Sequence, residues 1–109
     1  MTVKEVAQKL NLIPINEADT TRSVTGCYIG DLLSRAMIKA GKDNLWITIM
    51  VNVNVAAVAV LTDVSAIILA EDQHPSEDFV IKASEHGINL YKSSLSAYEL
   101  AVSIGKLSR

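Results

Sequence analysis

The 109-residue sequence has little of the material that several kinds of site require. It contains one cysteine, Cys27, so no disulfide can form within the chain, and this fits the reducing cytoplasm, where we expect the protein. Only 5% of the residues are aromatic although 50% are hydrophobic, so the apolar part is mainly Val, Ile, Leu and Ala. This balance favours aliphatic strands packed against alanine-bearing helices.

Runs of like charge are also absent. The formal net charge of −2 is spread along the chain, which argues against nucleic-acid binding. No charged segment is followed by a short apolar one, so we expect no signal peptide. The long apolar stretch at 46–70 is interrupted by polar residues, which favours a buried strand-helix-strand unit over a membrane span.

Phosphate-binding motifs are missing as well. Gly41-Lys42 is followed by Asp43 and has Ala36 where a P-loop needs its first glycine. Gly26 and Gly30 lack the middle glycine of the dinucleotide fingerprint. The sequence therefore offers no standard nucleotide-binding loop.

Metal ligands and nucleophiles are scarce too. His74 and His86 fall at opposite ends of one predicted helix, so they cannot share a metal within a monomer. Cys27 lies in an apolar strand without a basic neighbour, and we interpret it as a buried, unreactive thiol. We expect no metal, no cofactor and no catalysis.

The first half of the chain predicts two helices and two strands. A capping box at Thr2 and Glu5 begins a helix over about 3–10, and the proline in 12–15 makes that segment an edge strand at most. Residues 16–22 are interpreted as an exposed loop. A strand through 24–29 leads into a helix that Asp31 caps and Gly41 ends, with Leu33, Ala36, Met37 and Ala40 on one face.

The second half alternates strands and helices. Strands are predicted at 46–51, 65–70 and 88–91. A helix is predicted at 55–61 because of its alanines, although its β-branched residues make a strand a possible alternative there. Pro75 is placed at the first position of the next helix, which Gly87 ends, and Ser96 with Glu99 opens a last helix to about residue 107. The fold class is α/β: a single domain over 1–109, folded as a three-layer α/β/α sandwich with a mostly parallel sheet of about five strands.

Parallel sheets bind ligands beyond the carboxyl ends of their strands, close to helix N-termini. The residues predicted at that rim are polar, and we list them as candidate ligand-binding residues for a small anionic or nucleotide ligand: Asn52, Asn54, His74, Lys92, Ser93 and Ser94. The alternative is that the asparagines and serines only cap helices.

Several parts of the chain carry a family resemblance: the segment T-G-C-Y-I-G-D-L-L-S at 25–34, residues 46–48 and 54–61, the strand at 65–70, the helix opened by Pro75, and residues 96–101. With these parts the sequence resembles the DRTGG domain family over residues 2–107. The resemblance implies a fold like the N-terminal domain of HPr kinase/phosphorylase. The phosphate-binding loop and catalytic residues of such kinases belong to a separate domain, so the label "serine kinase of HPr" would be a borrowed name. DRTGG domains also accompany nucleotide-sensing CBS domains, which implies a regulatory role, here in a stand-alone member.

Three functional hypotheses follow. The first is a non-catalytic, homodimeric regulatory module that binds a small anionic or nucleotide ligand. The second is a structural dimerisation or protein-interaction domain acting in trans, whose surface is the motif residues Thr25, Gly26, Tyr28, Gly30, Asp31 and Trp46; Tyr28 and Trp46 would be its anchors, with core packing the alternative for Trp46. The third is an enzyme whose Lys92 and His74 meet Asp31 of another subunit.

Overall fold

A computed structural model describes residues 1–107, so the last two residues of the predicted 1–109 domain lie outside the described range. Five helices and five strands follow one another along the chain: α1 (Val3–Lys9), β1 (Ile13–Asn16), β2 (Gly26–Ile29), α2 (Leu33–Lys39), β3 (Asn44–Thr48), α3 (Asn54–Thr62), β4 (Ala66–Leu69), α4 (Glu77–Glu85), β5 (Leu90–Lys92) and α5 (Ala97–Leu107). The strands form one sheet in the order β1-β5-β4-β3-β2.

The sheet is mostly parallel. β2, β3, β4 and β5 pair in parallel, and β1 pairs antiparallel with β5 through Ile13 and Lys92. Because β3, β4 and β5 each lie beside the strand that precedes them in the sequence, the right-handed crossover helices α2, α3 and α4 all lie on one face. Helices α1 and α5 cover the other face, which gives the predicted three-layer α/β/α fold.

The central strands explain why both faces are covered. β3 is buried from Leu45 to Thr48 and all of β4 is buried, so alternate side chains enter two separate cores. Trp46 and Ile67 pack towards α2, α3 and α4, whereas Ile47 and Ile68 pack towards α1 and α5. One apolar core therefore lies on each face of the sheet, between the strands and a layer of helices.

Several local predictions are confirmed. The segment with Pro14 is an edge strand, as a residue that cannot donate a backbone hydrogen bond requires. The Ser96 N–H donates to Glu99 Oε1 and the Glu99 N–H donates to Ser96 Oγ, both at 3.1 Å, which completes the capping box. Residues 54–62 form a helix and not a strand. Gly87 follows α4 with φ of 65°, a left-handed conformation that suits glycine.

Some local predictions about helix starts and helix faces are wrong. Asp31 does not cap α2, which begins after Leu32, and its carboxylate is bonded elsewhere. Pro75 precedes the helix, because Ser76 is the N-cap and accepts from the Phe79 N–H. Met37 is 53% exposed, whereas Ala36 is the buried residue of α2, so Met37 does not belong to the buried face of this helix.

The loop at 16–22 is held more firmly than its polar sequence indicates. Asn89, buried at the start of β5, accepts from the Ala18 N–H at 2.7 Å and donates to the carbonyls of Asp19 and Ser65 at 2.8 and 3.0 Å. Arg22 forms ion pairs with Asp43 and Asp63 at 2.8 and 3.1 Å. These bonds fix the loop across the amino-terminal ends of the parallel strands.

Candidate functional site

The carboxyl ends of β4 and β5 mark a point where the chain leaves the sheet in opposite directions. After β4 the chain passes to α4 on one face, and after β5 it passes to α5 on the other face. Neighbouring strands whose connections diverge in this way leave a crevice, and open α/β sheets use such crevices for ligands. The sheet has its candidate site here.

Lys92, the last residue of β5, lies in this crevice. It points to the same side of the sheet as Leu90 and is only 8% exposed, which is unusual for a lysine. Its Nζ lies 2.9 Å from Asp72 Oδ1 and 3.0 Å from His74 Nε2. The other ring nitrogen, His74 Nδ1, lies 3.4 Å from the same Nζ, and because an ammonium can only donate, the imidazole is the acceptor in this contact.

The two partners of Lys92 belong to the loop between β4 and α4. Both are exposed, and the Asp72 side chain is 64% exposed, so the ion pair has a buried cation and a largely hydrated anion. The hydrogen bond and the positive charge of Lys92 hold the pKa of the Asp72 carboxyl below its ordinary value. The crevice therefore contains a buried lysine side chain whose carboxylate partner is mostly exposed to water.

The loop itself is held in an uncommon backbone conformation. Glu71 and Asp72 have φ of 58° and 56°, in the left-handed region that residues with a side chain rarely adopt. The Glu71 N–H donates to the Leu95 carbonyl at 2.9 Å, and the Asp72 N–H donates to the Ser93 carbonyl at 2.8 Å. The loops after β4 and β5 are thus tied to each other beneath the ion pair.

The structure brings together some of the predicted rim residues but not all. His74 and Lys92 are in contact, and Ser93 is buried beside them, where its Oγ accepts from the Leu95 N–H. Ser94 is exposed. Asn52 accepts from the Asn54 N–H at 2.9 Å, a local bond at the start of α3 that matches the helix-cap alternative. Asp72, the anionic partner of Lys92, is not among the predicted candidate residues.

A second polar contact closes the rim at β3. Asp31 follows β2, and its Oδ1 accepts from the Thr48 hydroxyl at 2.8 Å and from the Ile49 N–H at 2.9 Å. Thr48 is 2% exposed, so this contact lies at the buried end of β3. Sequence reasoning missed it because the two partners are 17 residues apart and nothing local distinguishes this bond from a helix cap.

The motif residues lie along β2 and just beyond it. Trp46 is fully buried and its indole N–H donates to the Gly30 carbonyl at 3.1 Å, so it belongs to the core and is not a surface anchor of the monomer. Tyr28 is half-buried against the same core and its ring lies on Gly30, where an added Cβ would come within 2.5 Å of the phenol oxygen. Thr25 donates to the Lys42 carbonyl at 3.3 Å. Gly26 starts the strand beside Asn44.

Three grooves lie outside the crevice. One of about 610 Å³ lies between α1 and β1 around Tyr91, whose hydroxyl donates to Glu17 at 2.7 Å. Another, of about 560 Å³, runs between β2 and α5. The third, of about 460 Å³, is an apolar groove between α3 and α4 with Lys82 and His86 at its edge.

The described residues contain little that could perform nucleophilic or metal chemistry. Cys27 is exposed and not buried as expected, but its apolar surroundings raise the pKa of the thiol to about 11, so it is protonated at neutral pH. Residues 1–107 contain no group of three or more His, Cys, Asp or Glu side chains that could hold a metal ion. Within the same range, no helix has both the length and the apolar content that crossing a membrane requires.

The fold and the crevice define a small α/β domain with a DRTGG-like fold. The structure is similar to that of the CBS and DRTGG domains of the regulatory region of Clostridium perfringens pyrophosphatase, solved in complex with its activator, diadenosine tetraphosphate. The TM-score is 0.77 at 11% sequence identity, and the match covers 94% of this chain. The chain spans only 45% of that structure's length. No family model and no curated protein matches the sequence.

Proposed function

We propose that this chain is a non-catalytic regulatory module of the DRTGG type that senses a small anionic ligand, a nucleotide or another phosphate ester, in the crevice between β4 and β5. We further propose that it is a cytoplasmic homodimer that passes the signal to a protein partner in trans. The observation that carries the proposal is the 8% exposed Lys92 at the point where the chain leaves the sheet in opposite directions.

The ion pair of Lys92 favours exchange with an anion. A phosphate that replaces Asp72 keeps the buried ammonium paired, while the released carboxylate, already 64% exposed, returns to water at little cost. A neutral imidazole has one N–H donor, so His74 can turn that N–H towards the ligand once its ring leaves Lys92. The crevice therefore offers a cation and an adaptable donor to one phosphoryl group.

The comparison supports a regulatory role and a nucleotide as the ligand class. The similar structure is a regulatory region with a dinucleotide activator bound to it, and its likeness extends over 94% of this chain. The described residues add a thiol held in its protonated form and no candidate metal cluster, both of which favour binding over catalysis. The comparison therefore supports nucleotides as the class of ligand, and the proposal does not name diadenosine tetraphosphate as the ligand of this chain.

The loop after β4 provides a route for the signal. Asp72 belongs to this loop, and four residues later the Ser76 N–H donates to the Val51 carbonyl at 2.9 Å before α4 begins. Releasing Asp72 from Lys92 frees the outer part of the loop, whose left-handed residues Glu71 and Asp72 favour a different backbone conformation. Ligand binding then shifts the start of α4 relative to α3.

Thermal unfolding in the presence of candidate ligands tests the proposal. The probes are ATP, AMP, diadenosine tetraphosphate and inorganic phosphate, measured on the wild type, on Lys92→Met and on Lys42→Met, which removes an exposed lysine. A ligand at a hundred times its dissociation constant stabilises by about 2.7 kcal/mol, a shift of several degrees for a domain of this size. We expect the shift in the wild type and Lys42→Met, and its loss in Lys92→Met.

Two results contradict the proposal. A shift of equal size in Lys92→Met places the ligand elsewhere. The absence of a shift with every probe removes the sensor function and leaves the second hypothesis, an interaction domain without a ligand.

A further inference from the structure

β2 forms an open edge of the sheet. Within residues 1–107 it pairs with β3 alone, and no strand lies on its other side. The Gly30 N–H donates to the Ile47 carbonyl, and in a parallel ladder alternate residues point to the same neighbour. The backbone N–H and C=O groups of Cys27 and Ile29 therefore point away from β3, towards the open side.

From Gly26 to Ile29 this edge lacks the features that keep exposed strands from pairing, because the antiparallel contact of Met1 and Thr2 reaches only Ser23 and Val24. Natural edge strands are usually protected by proline, by charged side chains or by a covering segment. The opposite edge, β1, has Pro14 at its second position, whereas Gly26–Ile29 contains neither proline nor charge. The side chains of Cys27 and Ile29 are exposed, Ile29 to 44%. An unprotected edge of this kind is a template for a further strand.

The groove beside the edge is lined by uncharged side chains. It lies between β2 and α5, has a volume of about 560 Å³, and none of the described residues that line it has a charged side chain. Ala101 and Gly105 face it from α5, and a Cβ added at Gly105 would meet nothing within 4 Å. There is therefore room beside α5 for a second element to approach closely.

We propose that β2 pairs antiparallel with β2 of a second copy of this chain, so that two five-stranded sheets join into one sheet of ten strands. Cys27 then lies opposite Ile29 of the other copy, Tyr28 lies on the two-fold axis, and the outward backbone groups form reciprocal hydrogen bonds. The two α5 helices meet over the groove. The inference specifies the homodimer of the proposed function and does not depend on its ligand.

A second copy fits this edge better than a free peptide does. The strand of a second copy is already ordered, whereas a peptide has to lose its conformational freedom on binding. A two-fold contact also places each residue near its own counterpart, so any charge there would face a like charge. The described residues of the β2 groove bring no charged side chain to such a contact, whereas the groove between α3 and α4 has Lys82 and His86 at its edge.

Light scattering coupled to size exclusion, at 10 to 100 micromolar protein, tests the interface on two matched variants. Ile29→Lys places a charge on the open edge, and Leu61→Lys places the same charge on α3, where Leu61 is 73% exposed. We expect dimers for the wild type and Leu61→Lys and monomers for Ile29→Lys. A monomeric wild type, a dimeric Ile29→Lys or a monomeric Leu61→Lys overturns the proposal. Circular dichroism checks that each variant is folded.

Gly105→Leu keeps the test decisive if Ile29→Lys does not fold. Leucine is a good helix former and has open space at this position in the monomer, but it fills the groove where the second α5 would lie. The expected result is a folded monomer, and a dimer contradicts the inference.

The single cysteine provides an independent measurement. In the proposed register the two Cys27 residues are diagonal neighbours on the same face, with Cα atoms about 7–8 Å apart. A short bismaleimide should therefore link two chains of the wild type into a covalent dimer, and Cys27→Ser should give none. Failure of the wild type to cross-link while it is dimeric in solution overturns this register. Ligand shifts in thermal unfolding are measured separately, so the two proposals can fail independently.

Discussion

The carboxylate of Asp31 is joined to the neighbouring strand and not to the helix that follows it. Asp31 Oδ1 lies 2.8 Å from Thr48 Oγ1 and 2.9 Å from the backbone nitrogen of Ile49, at the end of β3. One oxygen atom thus satisfies a buried hydroxyl and a backbone N–H, and it fixes the end of β2 relative to the end of β3.

Replacing Asp31 by alanine should destabilise the fold, because it leaves the buried Thr48 hydroxyl without this acceptor. We expect Asp31→Ala to lower the free energy of unfolding by about 1–3 kcal/mol in urea titrations. Asp31→Asn keeps an oxygen at the same position and should lose less than half as much. Equal losses in the two variants would contradict the role assigned to that oxygen.

The Lys92–Asp72 ion pair should make stability depend on acid pH. Since the pKa of Asp72 is lowered in the folded state, its contribution is fully present above the ordinary carboxyl pKa and is lost as the pH falls through the lowered value. We expect Asp72→Asn to be less stable than the wild type at pH 7 and the difference to disappear in strong acid. Urea titrations at several pH values measure this.

Glu71→Gln is the control for that experiment. It removes a neighbouring exposed carboxylate whose side chain lies outside the ion pair. A pH dependence of the same size in Glu71→Gln and Asp72→Asn would show that general charge, and not the bond to Lys92, causes the effect.

Asn89 should be among the most sensitive polar positions. Its side chain is 1% exposed and holds Ala18, Asp19 and Ser65 through three hydrogen bonds. Asn89→Ala should cost about 2–4 kcal/mol, because it leaves several buried groups unpaired. Asn89→Asp should cost more, since a carboxylate would face two carbonyl oxygens. Asn54→Ala, at an exposed position, is the comparison. In thermal unfolding we expect Asn89→Asp to be the least stable variant, Asn89→Ala the next and Asn54→Ala the most stable.

Two glycines should respond to alanine in opposite ways. At Gly30 a Cβ would come within 2.5 to 2.9 Å of the Tyr28 ring, so Gly30→Ala should destabilise by about 1–3 kcal/mol. At Gly105, inside α5, a Cβ meets nothing within 4 Å, so Gly105→Ala should stabilise by about 0.5–1 kcal/mol. Differential scanning calorimetry measures both, and a stabilised Gly30→Ala would contradict the contact with Tyr28.

The sequence predicts which segments form helices and strands better than it predicts which residues contact each other across the fold. The strand-helix alternation from residue 46 onward, the capping box at Ser96 and the edge position of Pro14 are all confirmed, because each rests on signals within a few residues. The prediction for Asp31 failed because an aspartate before a helix has two possible uses, and a partner 17 residues away in the sequence decided between them.

In the candidate site, too, the location of the residues was predictable, whereas their burial and their ion pairs were not. Lys92 and His74 were predicted at one rim and do meet, because the carboxyl ends of parallel strands lie on one edge of the sheet. The near-complete burial of Lys92 and the choice of Asp72 as its anion depend on the left-handed turn at residues 71 and 72. No glycine or asparagine marks that turn, so the sequence has no signal for it.

The pairing of β1 with β5 has a consequence for how the protein folds. Ile13 lies opposite Lys92, so the first strand of the chain has no place in the sheet until the last strand has been formed. The helices and the parallel strands from β2 to β4 join neighbours in the sequence, whereas β1 has to close a loop across most of the chain. We therefore expect β1 to join the sheet last, when β5 has formed, and its attachment to complete the strand that ends at Lys92 of the crevice.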